Sequence, residues 1–274
     1  MHYATRGRMG RLPALASALL VCWVTASAAP ISAAQGPGTT AAGPVVVVVL
    51  VSANAEWAVV KAAYPGAAYR QTPWGEYFDS ALAVGRQPTP VVFFHGGWGK
   101  VAAAGSTQYA IDRWKPSLIV NLGTCGGFDG DIGRFEVVLV DRTIIYDIRE
   151  AMGDSAGAIA DYSTTLDLEW LGPNHPAAVR KTLLVSADRD LVPGEIPELR
   201  RRYHAVAGDW ESGAIAYTCA RNRQRVLILR GVSDLVSASA GGEAYGKIQM
   251  FEEGTRTVMT RLLAQLPAWL AIAR

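Results

Sequence analysis

Residues Val226–Asp234, VLILRGVSD, decide how this chain is read. Val226, Leu227, Ile228 and Leu229 form an unbroken apolar run. Such a run suits a β-strand covered on both faces. Arg230 and Gly231 interrupt it, and Ser233-Asp234 sits just past the expected carboxyl end. In open α/β sheets, ligands bind beyond the carboxyl ends of the strands. Two readings of Asp234 stay open at this point. Ser and Asp are standard capping residues for a following helix, and a carboxylate at a strand end is also a candidate working acid.

Working outward, further strands are predicted at Val45–Val51, Leu118–Leu122, Glu136–Val140, Thr182–Ser186 and His204–Ala207. Tyr77–Val84 and Val91–His95 read as a hairpin pair joined by Gly85-Arg86-Gln87-Pro88. Helices are predicted near Trp57–Ala63, from the glycine-rich turn 96–100 to Trp114, and over Pro193–Tyr203, Glu211–Arg223 and Tyr245–Leu266, with Pro267 interrupting the last pattern. Tyr146–His175 is the least regular stretch and is expected to be a long surface excursion, of the kind that borders sites. No internal repeat or second linker is visible. Strands alternating with helices predict one three-layer α/β/α domain around a central mixed, largely parallel twisted sheet.

The 274-residue chain is 50% hydrophobic, ample for a sizeable core. Its first 34 residues read differently. Arg6, Arg8 and Arg11 form a basic start, Leu12–Ala29 is apolar, and Ala26-Ser27-Ala28 and Ser32-Ala33-Ala34 offer small-residue cleavage sites. This is the pattern of a secretory signal peptide, with a retained membrane anchor as the alternative. Residues 35–44 read as a flexible lead-in and 45–274 as the folded domain. The expected location is secreted or periplasmic. Three of the 26 basic residues and none of the 24 acidic ones lie in the leader, so the remaining chain is close to neutral. No basic patch argues for nucleic acid. Cys22 belongs to the leader. Cys125 and Cys219 are expected to be two buried free thiols, and pairing is the alternative.

Four segments carry chemistry-bearing residues. Glu56 follows the strand Val45–Val51, where a first-turn carboxylate also suits the helix dipole. Gly96-Gly97-Trp98-Gly99-Lys100 and Gly123-Thr124-Cys125-Gly126-Gly127 are glycine-rich turns that either turn tightly or bring backbone N–H groups to a ligand. Asp209-Trp210-Glu211 opens a helix, and Glu211 shares the apolar face of Ala214, Ile215, Thr218 and Cys219. A carboxylate aimed along a buried stripe needs a partner or a ligand. Gly99-Lys100 lacks the spacing of a phosphate-binding Walker loop. The four histidines make no metal cluster, and His95 reads as a strand-end packing residue. Gly123–Gly127 also fits G-x-C-x-G, a thiol version of the nucleophile elbow. An elbow must lead straight into a helix, however, and Phe128–Phe135 is turn-like. Arg230, on an apolar strand, is expected to pair with a buried carboxylate.

Taken together, Ser52–Glu56, Gly97–Ala104, Asn121–Gly127, Trp210-Glu211 and Ser233-Asp234 resemble, in order and spacing, the nucleoside phosphorylase/nucleosidase superfamily. The 5′-methylthioadenosine/S-adenosylhomocysteine nucleosidases are the nearest likeness. The match covers nearly all of residues 45–266. The resemblance implies a nucleoside phosphorylase-like fold and hydrolysis of an N-ribosidic bond, without cofactor or metal. It implies that Asp234 protonates or hydrogen-bonds the purine N7, with Ser233 orienting it. Glu211 would hold ribose hydroxyls, Trp210 would pack on the sugar, and Glu56 would position and activate water. Thr124, Cys125, Gly126, Asp190 and Leu191 are implied to line the substrate.

Departures from the family pattern matter. Related phosphorylases carry an arginine at the start of the second glycine segment, where this chain has Asn121. Asn and an acid bind a phosphate dianion poorly, so water is the expected nucleophile. Asp190 stands about where nucleosidases have an aromatic that stacks on adenine. Asp209 replaces a glutamate, and Ala53 stands where a methionine is common. Asp188 is read as a loop-ordering acid. The expected partners are a small nucleoside and water, with no nucleic acid, no membrane after leader cleavage, and assembly as a homodimer. The alternatives are a phosphate-dependent phosphorylase and a non-catalytic nucleoside-binding or storage protein of the same fold.

Overall fold

A computed structural model describes residues 47–273. The leader and the lead-in therefore lie outside the described residues. Among the described residues, eleven strands form one mixed sheet. At its centre β1 (Val47–Val51) runs parallel to β4 (Gln87–His95) on one side and to β5 (Leu118–Phe128) on the other. Every residue of β1 is buried, as its unbroken apolar run requires. β3 (Glu76–Val84) pairs antiparallel with β4 around a tight turn at Gly85-Arg86, the expected hairpin, and β2 (Arg70–Gln71) closes that edge.

The other half of the sheet curls on itself. β10 (Val226–Ser237) pairs with β5 in parallel and with β6 (Val137–Ile145) antiparallel. β6 then pairs with β8 (Arg180–Ser186), β8 with β9 (Ala207–Asp209), and β9 returns to β5. The five strands form a closed circuit. β11 (Gly241–Gly242) folds back on the end of β10, and β7 (Ser163–Thr165) on β6. Around the sheet pack α1 (Asn54–Ala63), α2 (Gly99–Trp114), α3 (Ser155–Asp161), α4 (Ile196–Tyr203), α5 (Ser212–Arg221) and α6 (Ile248–Ile272). This is the expected α/β domain with a mixed sheet.

The structure corrects several element boundaries. The strand from Val226 does not stop at Leu229 but runs to Ser237, so Asp234 lies inside it and caps no helix. A bulge between Val232 and Asp234 leaves Ser233 unpaired with β5. Bulges re-aim the side chains that follow them. Likewise the segment Gly123–Gly127 is not a turn: β5 carries straight through it. Its backbone is paired by β10 on one side and β9 on the other, which outweighs the low strand propensity of glycine. The strand predicted at 204–207 begins only at Ala207 and runs to Asp209, because His204 takes a left-handed conformation that ends α4. The last helix starts at Ile248, not Tyr245, and continues through Pro267 to Ile272. A helix-interior proline costs about 3 kcal/mol, and burial of Leu266, Trp269 and Leu270 around it offsets that cost. Residues 146–175 are irregular as expected, interrupted only by α3, β7 and one 3-10 turn at Glu169–Leu171.

Candidate active site

The site is built on the paired strands β5 and β10. Arg230 is fully buried in the middle of β10. Its Nε donates to Ser212 Oγ at 2.9 Å and lies 3.1 Å from Asp209 Oδ2. Nη1 donates to the Thr124 carbonyl at 3.2 Å, and Nη2 to Asn121 Oδ1 at 2.9 Å. Asn121 is itself fixed by donating to the Leu50 carbonyl at 3.0 Å. Nη1 also lies 3.6 Å from Glu56 Oε1 and 3.7 Å from Glu211 Oε2. The expected buried ion pair is thus one guanidinium among three carboxyl groups. Burial opposes the charge on Arg230, but Asp209, Glu56 and Glu211 together hold its pKa above the ordinary value.

Each carboxyl group is held by a different element. Glu56 is in the first turn of α1 and is 1% exposed. Its Oε1 accepts from Thr124 N at 2.6 Å and Thr124 Oγ1 at 2.9 Å, and its Oε2 from Ala53 N at 3.1 Å. The helix-dipole reading of Glu56 is therefore incomplete, since its carboxylate reaches across to β5. Asp209, at the end of β9, accepts from Ser186 Oγ at 2.6 Å and from both the backbone and hydroxyl of Ser212. Glu211, just before α5, accepts from Gly99 N at 3.1 Å. Burial, with Asp209 and Glu56 nearby, pushes its pKa up to about 8 despite Arg230. Gly123 has a specific task here. A Cβ on it would lie 2.7 Å from Glu56 Oε1 and would collide with Arg230.

Further along β10, Asp234 is 7% exposed and pairs with Gly126 of β5. Its Oδ1 accepts from Ser233 Oγ at 2.6 Å. Burial raises its pKa, Glu243 and Asp190 raise it further, and Ser233 and Arg134 oppose them. Cys125 joins the two ends. Its buried thiol is pushed up by burial and feels the charges of Asp209, Arg230, Asp234 and Glu56. A thiol so far from ionising is no nucleophile, and its segment is a strand, so the elbow reading fails on both counts. Cys125 and Cys219 are both free and buried, as expected.

The rim comes from loops. Leu191 packs its side chain against Gly126 and Gly208, where added Cβ atoms would lie 3.0 and 2.8 Å from it. Its neighbour Asp190 is exposed, and the Leu191 carbonyl accepts from Tyr245 Oη at 2.5 Å. Trp210 faces Trp98, with ring centroids 5.1 Å apart and planes 33° apart. These two rings, with Gly99, Lys100, Val101 and Asp188, line a cavity of about 230 Å³. Asp188 is the loop-ordering acid that was expected: it accepts from Lys100 N at 2.6 Å, and the Lys100 ammonium is held by Asp147. A larger cavity of about 450 Å³, beside Tyr146, Glu195 and Arg202, contains none of the expected site residues. His95 stacks on Trp57 at 5.3 Å and contacts the Ser52 carbonyl at 3.0 Å, a packing role. Among the described residues no group of three or more His, Cys, Asp and Glu side chains is arranged to hold a metal ion.

Sequence reasoning missed Ser186, Ser212, Glu243 and Tyr245. The first two had no signal beyond being small polar residues at a strand end and a helix start. Tyr245 was assigned to the last helix, but it precedes that helix and faces the rim.

The chain is 31% identical over 147 residues to the 5′-methylthioadenosine/S-adenosylhomocysteine nucleosidase of Thermotoga maritima, covering 53% of this chain and 66% of that protein. It is 27% identical over 190 residues to the Bacillus subtilis protein of the same name, covering 65% and 80%. Among solved structures, the same nucleosidase from Neisseria meningitidis, in complex with methylthio-immucillin-A, superposes with a TM-score of 0.64 at 22% identity, covering 83% of this chain and 99% of that one. The S-adenosylhomocysteine nucleosidase of Streptococcus pyogenes gives 0.65 at 17% identity, covering 85% and 98%. The family model described as the phosphorylase superfamily matches residues 44–266, so this chain, with its curled sheet and its carboxyl groups gathered around Arg230, belongs to the phosphorylase superfamily.

Proposed function

We propose that the protein is a purine nucleosidase that hydrolyses the N-ribosidic bond of a nucleoside such as methylthioadenosine or S-adenosylhomocysteine. The observation that carries this reading is the pairing of a carboxyl group biased toward its protonated form, Asp234, with carboxyl groups gathered around Arg230 on the same strand. The relatives named above support nucleosidase chemistry.

In this reading the C1′–N9 bond breaks and its electrons pass to the base. Asp234 gives a proton to N7, so the base leaves neutral, and Ser233 fixes the orientation of the donor. The sugar becomes oxocarbenium-like, and the nearby carboxyl groups stabilise its positive charge. Glu211 holds the ribose hydroxyls and Trp210 covers the sugar. Water attacks C1′ and gives its proton to Glu56, which the Ala53 and Thr124 amides hold in place. Thr124, Cys125, Gly126, Asp190 and Leu191 line the base and sugar.

Water is favoured over phosphate by the cation inventory. The Arg230 guanidinium is occupied by Asp209, Ser212, Thr124 and Asn121, and Lys100 is tied to Asp147. A phosphate dianion entering between Glu56 and Glu211 would meet carboxyl groups. The proposal includes export directed by residues 1–34, and a homodimer.

The test is to incubate the mature protein and Asp234→Asn with methylthioadenosine, S-adenosylhomocysteine, adenosine, inosine and guanosine, with and without phosphate. Chromatography then identifies the products. Free base plus free sugar, independent of phosphate and lost in the variant, is the expected result. A sugar 1-phosphate product would make the protein a phosphorylase, and binding without turnover would make it a binding protein.

A further inference from the structure

The segment after β10 returns to that strand beside Asp234. Gly241-Gly242 pairs with Val236-Ser237, and the chain then places Glu243 against Leu235, the residue next to Asp234. The contact is reciprocal. Glu243 N donates to the Leu235 carbonyl at 2.9 Å, and Glu243 Oε2 accepts from Leu235 N at 3.0 Å. Both backbone groups of Leu235 are thus held by one residue. The nearest cation is Arg134, whose Nε lies 3.9 Å from Glu243 Oε2.

We propose that Glu243 is a positioning residue for Asp234, clamping the backbone next to it and setting a second carboxylate beside it. The inference rests on the reading of Asp234 as proton donor. A donor needs a fixed backbone and an environment that disfavours its anion. The bulge at Ser233 interrupts pairing with β5 one residue before the donor, and the Glu243 clamp holds the residue after it from the other side.

The groups that bear on Asp234 come from several elements. Cys125 lies on β5, Arg134 in the turn before β6, Asp190 in the loop after β8, and Glu243 and Tyr245 in the segment after β10. α6 approaches through Gly254, which would meet the Ser233 backbone if it carried a side chain. Burial is the leading influence that keeps Asp234 protonated, and Glu243 is the foremost charged group acting in the same direction.

Glu243→Gln isolates the charge, since the amide oxygen still accepts from Leu235 N. With methylthioadenosine as substrate, the alkaline limb of kcat/KM reports loss of the donor proton. Glu243→Gln should move that limb down by about half to one pH unit, because removing a nearby like charge lowers a carboxyl pKa. Glu243→Asp, which restores the charge, should return the limb toward its original position. Arg134→Gln, which leaves the clamp intact, should move the limb up. An unchanged limb in Glu243→Gln, or a downward shift in Arg134→Gln, overturns the proposal. If the protein turns over no nucleoside, the nucleosidase reading fails on its own. The ¹³C carboxyl NMR titration of Asp234, assigned with Asp234→Asn, then decides the Glu243 question without catalysis. A lower midpoint in Glu243→Gln supports the proposal, and an unmoved midpoint rejects it.

Discussion

Arg230 and Asp234 lie on one strand, four residues apart, in opposite regimes. Around Arg230 the guanidinium nitrogens and the facing carboxyl groups have partners from β5, β9, α1 and α5, and the guanidinium is fully buried. Around Asp234 the strand bulges, a single hydroxyl is bonded to the carboxyl group, and the walls are loops. The first region is a scaffold that cannot lose a member without leaving an uncompensated buried group. The second holds a carboxyl group that burial biases toward its protonated form. Removing Arg230 therefore tests folding, and removing the Asp234 proton tests chemistry.

The largest effect is expected at the saturated end. Arg230→Met leaves Glu56, Asp209 and Glu211 without their cation. Breaking a buried pair in this way costs about 3–5 kcal/mol. Urea denaturation should show that loss, and a variant as stable as the parent would abolish the contrast. At the other end, Asp234→Asn keeps size and most polar contacts. It should lower kcat by about 10²–10⁴-fold with a change in unfolding free energy below about 1 kcal/mol. A large stability loss would show that Asp234 belongs to the scaffold too.

Glu211 sharpens the comparison, because it belongs to the saturated region yet titrates. Its native value of about 8 lies above the ordinary 4.5. The native state therefore keeps a proton that the unfolded chain releases. The resulting stability is fully present below about pH 4.5 and is lost as pH rises toward 8, with a slope of at most about 1.4 kcal/mol per pH unit. Glu211→Gln should flatten that slope, read from denaturation midpoints at pH 5, 6.5 and 8. The smallest effect is expected on the rim. Tyr245→Phe removes one hydrogen bond to Leu191, worth about 0.5–1.5 kcal/mol. Its signature is faster amide exchange confined to residues 187–192 and 238–247. If protection were lost across β10 as well, the rim and scaffold would be one cooperative unit.

Much of the scaffold was legible because its signals are local. The apolar runs of β1 and β10, the lone charge at Arg230 and the carboxylate on the α5 stripe each predict burial and a partner. The order of the candidate site acids Glu56, Glu211 and Asp234 was legible only through resemblance, since Glu56 alone reads equally well as a helix-end charge and Asp234 as a cap. What stayed hidden is non-local. Nothing in G-T-C-G-G announces a strand, because its hydrogen bonds come from β9 and β10, distant in sequence. Nothing in Gly123 announces that its missing Cβ makes room for Arg230. Glu243 follows the site strand as an ordinary polar-loop residue and Tyr245 reads as the start of the last helix, and their contacts depend on how that segment turns back.

The closed strand circuit has a consequence for when the site comes into being. Thr124 and Arg230 touch across 106 residues of sequence. Contacts of such long range form late, after the loop-closure entropy of the intervening chain has been overcome. A nascent chain can lay down β1, the β3–β4 hairpin and β5 while it is still being made. It cannot assemble the Arg230 cluster until β10 has emerged. Until then Glu56 is without its guanidinium. Activity in this architecture switches on only with completion of the last sixth of the polypeptide, and any chain ending before β10 is inert by construction.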